Sequence, residues 1–168
     1  MRRLPSLGSL VLLAILIVVL VTAGSDDSGQ PQPEPAAVHV TRVVDGDTIE
    51  VDYQGHNEDV RYIGVDTPES VKPDTPVQCY ALAASHFNER LVEGEDVRLT
   101  FDAERRDVYG RLLAYVHLGP TFVNAELVRR GYARTLTISP NTQHASLFDR
   151  LERAAADAGR GLWGRCEP

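Results

Sequence analysis

Lysine is almost absent from this chain: Lys72 stands alone, and every other basic side chain apart from histidine is arginine. A phosphate-binding P-loop is thereby excluded, because Lys72 lacks the preceding glycine and the following hydroxyl residue such a loop needs. No Gly-x-Ser-x-Gly elbow for a serine nucleophile occurs. His39, His56, His86, His117 and His144 have no zinc-like spacing and read as surface or strand-edge residues. Positive charge is short overall, with 17 basic against 24 acidic residues and a net charge of −7. An acidic, lysine-poor surface is compatible with a high-salt habitat, although GC-rich coding would also favour arginine. The one tryptophan, Trp163, reads as a core plug that pins the carboxyl terminus. There is no internal repeat.

What is present divides into three parts, in a chain of 168 residues that admits one domain with a real core plus appendages. Residues 1–24 carry Arg2-Arg3, the unbroken apolar run Leu10 to Val21 and the small residues Thr22-Ala23-Gly24. That pattern fits a secretory signal peptide. The alternative is a membrane tether through residues 4–23, which reaches the ~20 residues of a span only by counting Pro5, Ser6, Gly8 and Ser9. Either reading places the protein outside the cytoplasm, secreted or anchored at the cell surface. Residues 25–36 have alternating prolines and little to bury, which predicts an extended linker. The folded domain is expected over residues 37–168.

Within it, Val38–Val44, Thr48–Tyr53, Asp59–Val65, Asp96–Phe101 and Arg111–Leu118 read as strands, the second and third joined around Gln54-Gly55-His56-Asn57. Helices are predicted over Tyr80–Val92, Val123–Arg130 and Ala145–Ala158. Ala84, Phe87 and Leu91 share one face of the first. Leu147, Leu151, Ala154, Ala155 and Ala158 make a core-facing stripe on the last. Pattern alone gives α+β. An exported chain with two cysteines, Cys79 and Cys166, is a reasonable place for a disulfide between them.

The chemistry lies between Val43 and Glu69. Asp45-Gly46-Asp47-Thr48 marks a turn at a strand end, and Asp66-Thr67-Pro68 marks another. Asp47 and Asp66 with a nearby backbone carbonyl form an oxygen-only donor set suited to a hard cation such as calcium. Arg61 can grip a phosphate in two places, and Arg111 supplies a second guanidinium. Glu69 is a carboxylate able to activate water. Cation, guanidinium and base are what hydrolysis of a phosphodiester requires. The bland alternative for each arginine is a strand-edge ion pair, worth ~0–1 kcal/mol if exposed.

From about Val38 to Cys166 the chain resembles the thermonuclease (staphylococcal-nuclease-like) family. The resemblance rests on Val44-Asp45-Gly46-Asp47-Thr48, Arg61, Val65-Asp66-Thr67-Pro68-Glu69, Asp107-x-Tyr109-Gly110-Arg111, Val123-Asn124, Gly131-Tyr132-Ala133 and Gly161-Leu162-Trp163. It implies a five-stranded OB-fold barrel with about three helices. It also implies a monomeric nuclease that cuts DNA and RNA, single strands preferred, within chains and from ends, leaving 3′-phosphates. Asp47, Asp66 and the Thr67 carbonyl would bind Ca2+, with Asp45 behind them orienting ligands or water. Arg61 and Arg111 would hold the phosphate and the charge of the transition state, Glu69 would orient or deprotonate the water, and Tyr109 would touch a nucleotide phosphate. Replacing Arg61, Glu69 or Arg111 is then expected to cut turnover by ~10²-fold or more, with thermal unfolding nearly unchanged.

The chain departs from the family pattern around this site. Val108 stands where a lysine precedes the tyrosine, and Arg134-Thr135-Leu136-Thr137-Ile138-Ser139 replaces a stretch bearing two tyrosines. Two other classes stay open: a catalytically silent OB module that binds single strands, and a membrane-tethered interaction domain.

Overall fold

The computed structural model describes residues 37–70 and 76–166. The leader, the linker, the tether, Lys72 and the last two residues of the expected domain lie outside them. Five strands make a closed barrel: β1 (Ala37–Val43), β2 (Thr48–Tyr53), β3 (His56–Tyr62), β5 (Asp96–Thr100) and β6 (Leu112–Leu118). Their order is β3-β2-β1-β5-β6, and a parallel pairing of β3 with β6 closes the ring. Three short strands are added, β4 (Gly64–Asp66), β7 (Thr121–Phe122) and β8 (Arg134–Leu136). The helices are α1 (Ala81–Val92), α2 (Val123–Arg129), α3 (Ala145–Asp157) and the single turn α4 (Leu162–Arg165).

Alternation builds the barrel. Val38, Val40 and Val43 point inward from β1, and a register shift between Val40 and Arg42 keeps that face buried as the strand bends. Ile49, Val51, Val60, Tyr62, Val97, Leu99, Ala114 and Val116 complete the interior. The β2–β3 connection is tighter than the sequence suggests. Gln54 and Gly55 alone turn the chain, with φ of 57° and 81°, and His56 pairs with Tyr53.

One difference shapes the functional site. The predicted strand Asp59–Val65 does not run through. It stops at Tyr62, and Gly64, at φ 80°, redirects the chain into β4, which leaves the barrel and pairs with β8. A Cβ at Gly64 would strike the Phe148 ring, so both the turn and the close approach demand glycine there.

The helix stripes also differ from expectation. On α3 the structure buries Phe148 and Ala155, half-buries Leu147 and Leu151, and leaves Ala154 and Ala158 exposed. The large ring, packed on Tyr115 and Phe122, sets the inward face, and the small alanines do not. On α1 the buried residues are Ala81, Ala84, Ser85, Asn88 and Val92, while Phe87 and Leu91 are half-buried. Phe87 instead stacks on Tyr132 at 4.3 Å. Trp163 is half-buried, with the Arg134 guanidinium 4.3 Å from its ring centre. Cys79, just before α1, is bonded to Cys166, just after α4. Among the described residues no helix is long and apolar enough to cross a membrane.

Candidate active site

The turn between β1 and β2 is compact because Val44 and Asp45 both donate their N–H groups to the Thr48 carbonyl, at 2.9 and 3.2 Å. Asp45 Oδ1 then accepts the Asp47 N–H at 3.0 Å. Gly46 sits at the point of closest approach, where a Cβ would lie 2.7 Å from the Thr67 hydroxyl. Without that side chain Thr67 comes close enough to donate its N–H and its hydroxyl to Asp47 Oδ2, at 2.7 and 2.9 Å. Two turns twenty residues apart are thus knitted at one carboxylate.

Arg61, on β3, lies between the two. Its Nε is 3.2 Å from Asp47 Oδ1, and its Nη2 donates to Asp66 Oδ1 at 3.0 Å. Nη1 donates to the carbonyls of Tyr62 and Val65, at 2.9 and 2.7 Å. The break at Gly64 is what folds Asp66 back towards Arg61. Arg111 enters from the far side, just ahead of β6, with Nε donating to Asp107 Oδ2 at 2.7 Å. The other Asp107 oxygen accepts the N–H groups of Tyr109 and Arg111. Tyr109 is 82% exposed.

These residues line one cleft of about 530 Å³ that holds Asp45, Asp47, Asp66, Thr67, Glu69, Arg61, Arg111 and Tyr109 together. All eight of the cleft residues singled out in the sequence therefore meet, and Cys79 and Cys166 lie outside it. Asp59, also on the wall, carried no sequence signal beyond its charge. Asp107, in the same motif as Tyr109 and Arg111, takes its role from its grip on Arg111, which residue type alone does not indicate. Asn88 is the other omission. Fully buried on α1, it donates to the Asp45 carbonyl at 3.1 Å and accepts from the Tyr62 hydroxyl at 3.0 Å. A polar residue on the inner face of a helix was the only available hint.

Among the described residues, five carboxylates against two guanidiniums leave the cleft electronegative. Burial pushes the Asp45 carboxyl up to about 6, and the Asp47 charge adds to it, against the opposing pull of the Asp47 N–H and of Arg61. A hard divalent cation would relieve that load, and the side chains that could meet one here are oxygen donors. Beside the cleft is a second cavity of about 340 Å³ that shares Arg61, Tyr109 and Arg111 with it. Its other walls are largely apolar, with Val65, Leu113, Leu136 and Ile138 among them. Leu136 and Ile138 come from the stretch in which the two family tyrosines are missing.

Comparison with known proteins points the same way. Residues 59–165 match the model of the staphylococcal nuclease homologue family. The chain is 42% identical over 160 residues to the thermonuclease of Staphylococcus intermedius, covering 92% of this chain and 95% of that protein. With the thermonuclease of Staphylococcus hyicus it shares 37% identity over 161 residues, covering 93% and 95%. Endonuclease YncB of Bacillus subtilis (strain 168) is 42% identical over 130 residues, 76% of this chain and 62% of that protein. With its barrel, its two knitted turns and its paired guanidiniums, the chain belongs to the staphylococcal nuclease family.

Proposed function

We propose that this nuclease is a calcium-dependent phosphodiesterase that hydrolyses DNA and RNA, within strands and at ends, leaving 3′-phosphates. The observation that carries the reading is the shared cleft: Arg61 and Arg111 stand over an all-oxygen donor set with Glu69 on the same wall. The names of the relatives, thermonuclease and endonuclease, support the nuclease activity itself.

Asp47, Asp66 and the Thr67 carbonyl would hold calcium, which would supply positive charge near the phosphate and lower the cost of concentrating anions there. Arg61 and Arg111 hold the non-bridging oxygens and stabilise the charge that builds as phosphorus becomes five-coordinate. Glu69 orients the attacking water and takes its proton. The P–O bond to the 5′-oxygen breaks, that oxygen takes a proton from solvent water, and the phosphate remains on the 3′ side. Asp107 fixes the direction of Arg111 through its Nε. Tyr109 contacts a phosphate of the bound strand. The apolar cavity receives a base, which must be unstacked to enter, so single strands are preferred.

A cleavage assay on single-stranded DNA and RNA tests this directly. A chelator will abolish activity, calcium will restore it, and magnesium will serve poorly because it demands a tighter octahedral shell. Full activity in chelator removes Asp47 and Asp66 from their assigned role. Strand binding without cleavage under any metal would instead favour the silent OB module.

The charge balance adds a second expectation. Basic nucleic-acid binders weaken steeply as salt rises, through lost counterion release. Here the net charge is −7, and among the described residues two arginines are the only basic side chains that line the cleft. At ~1 M salt the screening length falls to ~3 Å, so distant carboxylates stop repelling the strand while contacts at the site persist. Cleavage at subsaturating substrate and fixed calcium will hold up or rise towards molar salt. A steep log-linear fall would show that a basic patch drives binding.

A further inference from the structure

Glu69 lies beyond the last strand residue of its segment, Asp66, and no helix or strand contains it. Its geometry is set by a residue nine positions later. The Glu69 N–H donates to Gln78 Oε1 at 2.8 Å, and the Gln78 N–H donates to the Glu69 carbonyl at 3.0 Å. One residue thus satisfies both backbone groups of Glu69, a two-point clamp that fixes where the side chain starts.

Gln78 is itself held from the other side. Its carbonyl accepts the Ala81 N–H at 3.1 Å, at the start of α1. The next residue, Cys79, is bonded to Cys166, and Tyr80 stacks on Tyr132 at 5.5 Å. Cys166 in turn is anchored to the core. Its N–H donates to the Leu162 carbonyl, Leu162 is buried, and the Leu162 N–H donates to the Gly131 carbonyl at 2.8 Å. Gly131 and Gly161 touch backbone to backbone, with no room for a Cβ on either. A continuous path therefore runs from the end of α2 through α4 and the disulfide to Gln78 and Glu69. A lesser tie, Ser70 Oγ to Ser85 Oγ at 3.2 Å, joins the same segment to α1.

We infer that Gln78, kept in place by the Cys79–Cys166 bond, is a positioning residue for Glu69, so that turnover depends on a disulfide outside the cleft. The inference rests on the proposed role of Glu69 in orienting the attacking water. Misplacing a reacting group by about 1 Å can cost up to ~10²-fold in rate. Loss of one of the two bonds between Gln78 and the Glu69 backbone leaves the other, so about a tenfold loss is expected for the side-chain contact alone.

The test is a cycle of variants assayed for kcat and KM at saturating calcium, with thermal unfolding measured on each. Gln78→Leu, which cannot accept the Glu69 N–H, will lower kcat about tenfold or more and leave KM unchanged. Gln78→Glu keeps an acceptor oxygen and will retain most of the rate. In a Glu69→Gln background Gln78→Leu will cause no further loss, because the group it positions is already disabled. The paired change Cys79→Ser with Cys166→Ser, assayed well below its own unfolding temperature, will lower kcat in the wild-type background and not in the Glu69→Gln background. A crippled Glu69→Gln enzyme beside a Gln78→Leu enzyme at full rate overturns the inference and leaves the proposed function standing. So does an equal loss from Gln78→Leu in both backgrounds, which would mark a general structural effect. Full activity in Glu69→Gln overturns the role of Glu69 and the inference with it.

Discussion

Arg111→Ala will lower kcat/KM by about 10²-fold or more and leave the melting temperature nearly unchanged, whereas Arg61→Ala will lower both. The rate losses share one cause, removal of a donor aimed at charge that develops in the transition state. The stabilities separate because the two guanidiniums are built in differently. The Arg111 side chain is 32% exposed and its ion pair is local, to Asp107 four residues back. Truncating it leaves a carboxylate, 16% exposed, that still accepts two backbone N–H groups. Arg61 is 15% exposed, and all three of its nitrogens are engaged, by Asp47, Asp66 and the carbonyls of Tyr62 and Val65. Its loss leaves Asp47, 4% exposed and beside Asp45, with the two Thr67 hydrogen bonds and no counter-charge. Breaking a buried pair from one side costs about 3–5 kcal/mol, and the partial exposure of Arg61 puts it towards the lower end. Unchanged unfolding is therefore expected for Arg111→Ala and a lowered melting temperature for Arg61→Ala. Calorimetry on the metal-free proteins, beside cleavage rates with calcium, checks both halves. Arg111→Ala at the wild-type rate removes that residue from the mechanism. Arg61→Ala with wild-type stability would show that the cleft tolerates its carboxylates unpaired.

Loss of the Cys79–Cys166 bond will cost up to about 4–5 kcal/mol of stability, the chain-entropy figure for a loop of this length. The cysteines are 87 residues apart, so the bond encloses most of the domain and removes many conformations from the unfolded chain. Residual structure in that chain reduces the figure. Urea unfolding of the Cys79→Ser, Cys166→Ser pair against the parent measures it, with thiol titration alongside. The unfolded, unreduced parent will show no titratable thiol; two per chain would rule the bond out. An unchanged midpoint in the paired variant would mean that the Gly131–Gly161 contact alone holds α4. Because the same bond reaches Gln78, stability and turnover should both fall, and the Glu69→Gln background separates them.

Much of the molecule could be read from residue order alone. Apolar residues spaced two apart marked β1, β2 and β5, because burial on one face of a strand has a period of two. Asp45-Gly46-Asp47 and Thr67-Pro68 announced turns through local backbone preferences, and the oxygen-only donors with two arginines announced phosphate chemistry. Both kinds of signal are local, or depend only on residue type. The remainder rested on contacts between distant positions. Nothing near Gly64 says that a strand must break there; the Phe148 ring, 84 positions on, occupies the space a Cβ would need. Arg61 reads as a phosphate ligand in either setting, and only the fold places it between Asp47 and Asp66 with every nitrogen engaged. Asn88 and Gln78 have side chains common on any surface. Their partners, the Asp45 carbonyl and the Glu69 backbone, come within reach only after the barrel has closed and α1 has packed upon it. Residue chemistry set what the cleft can do, and tertiary structure decided which groups hold one another there, because a hydrogen bond is chosen by distance in space and not by distance along the chain.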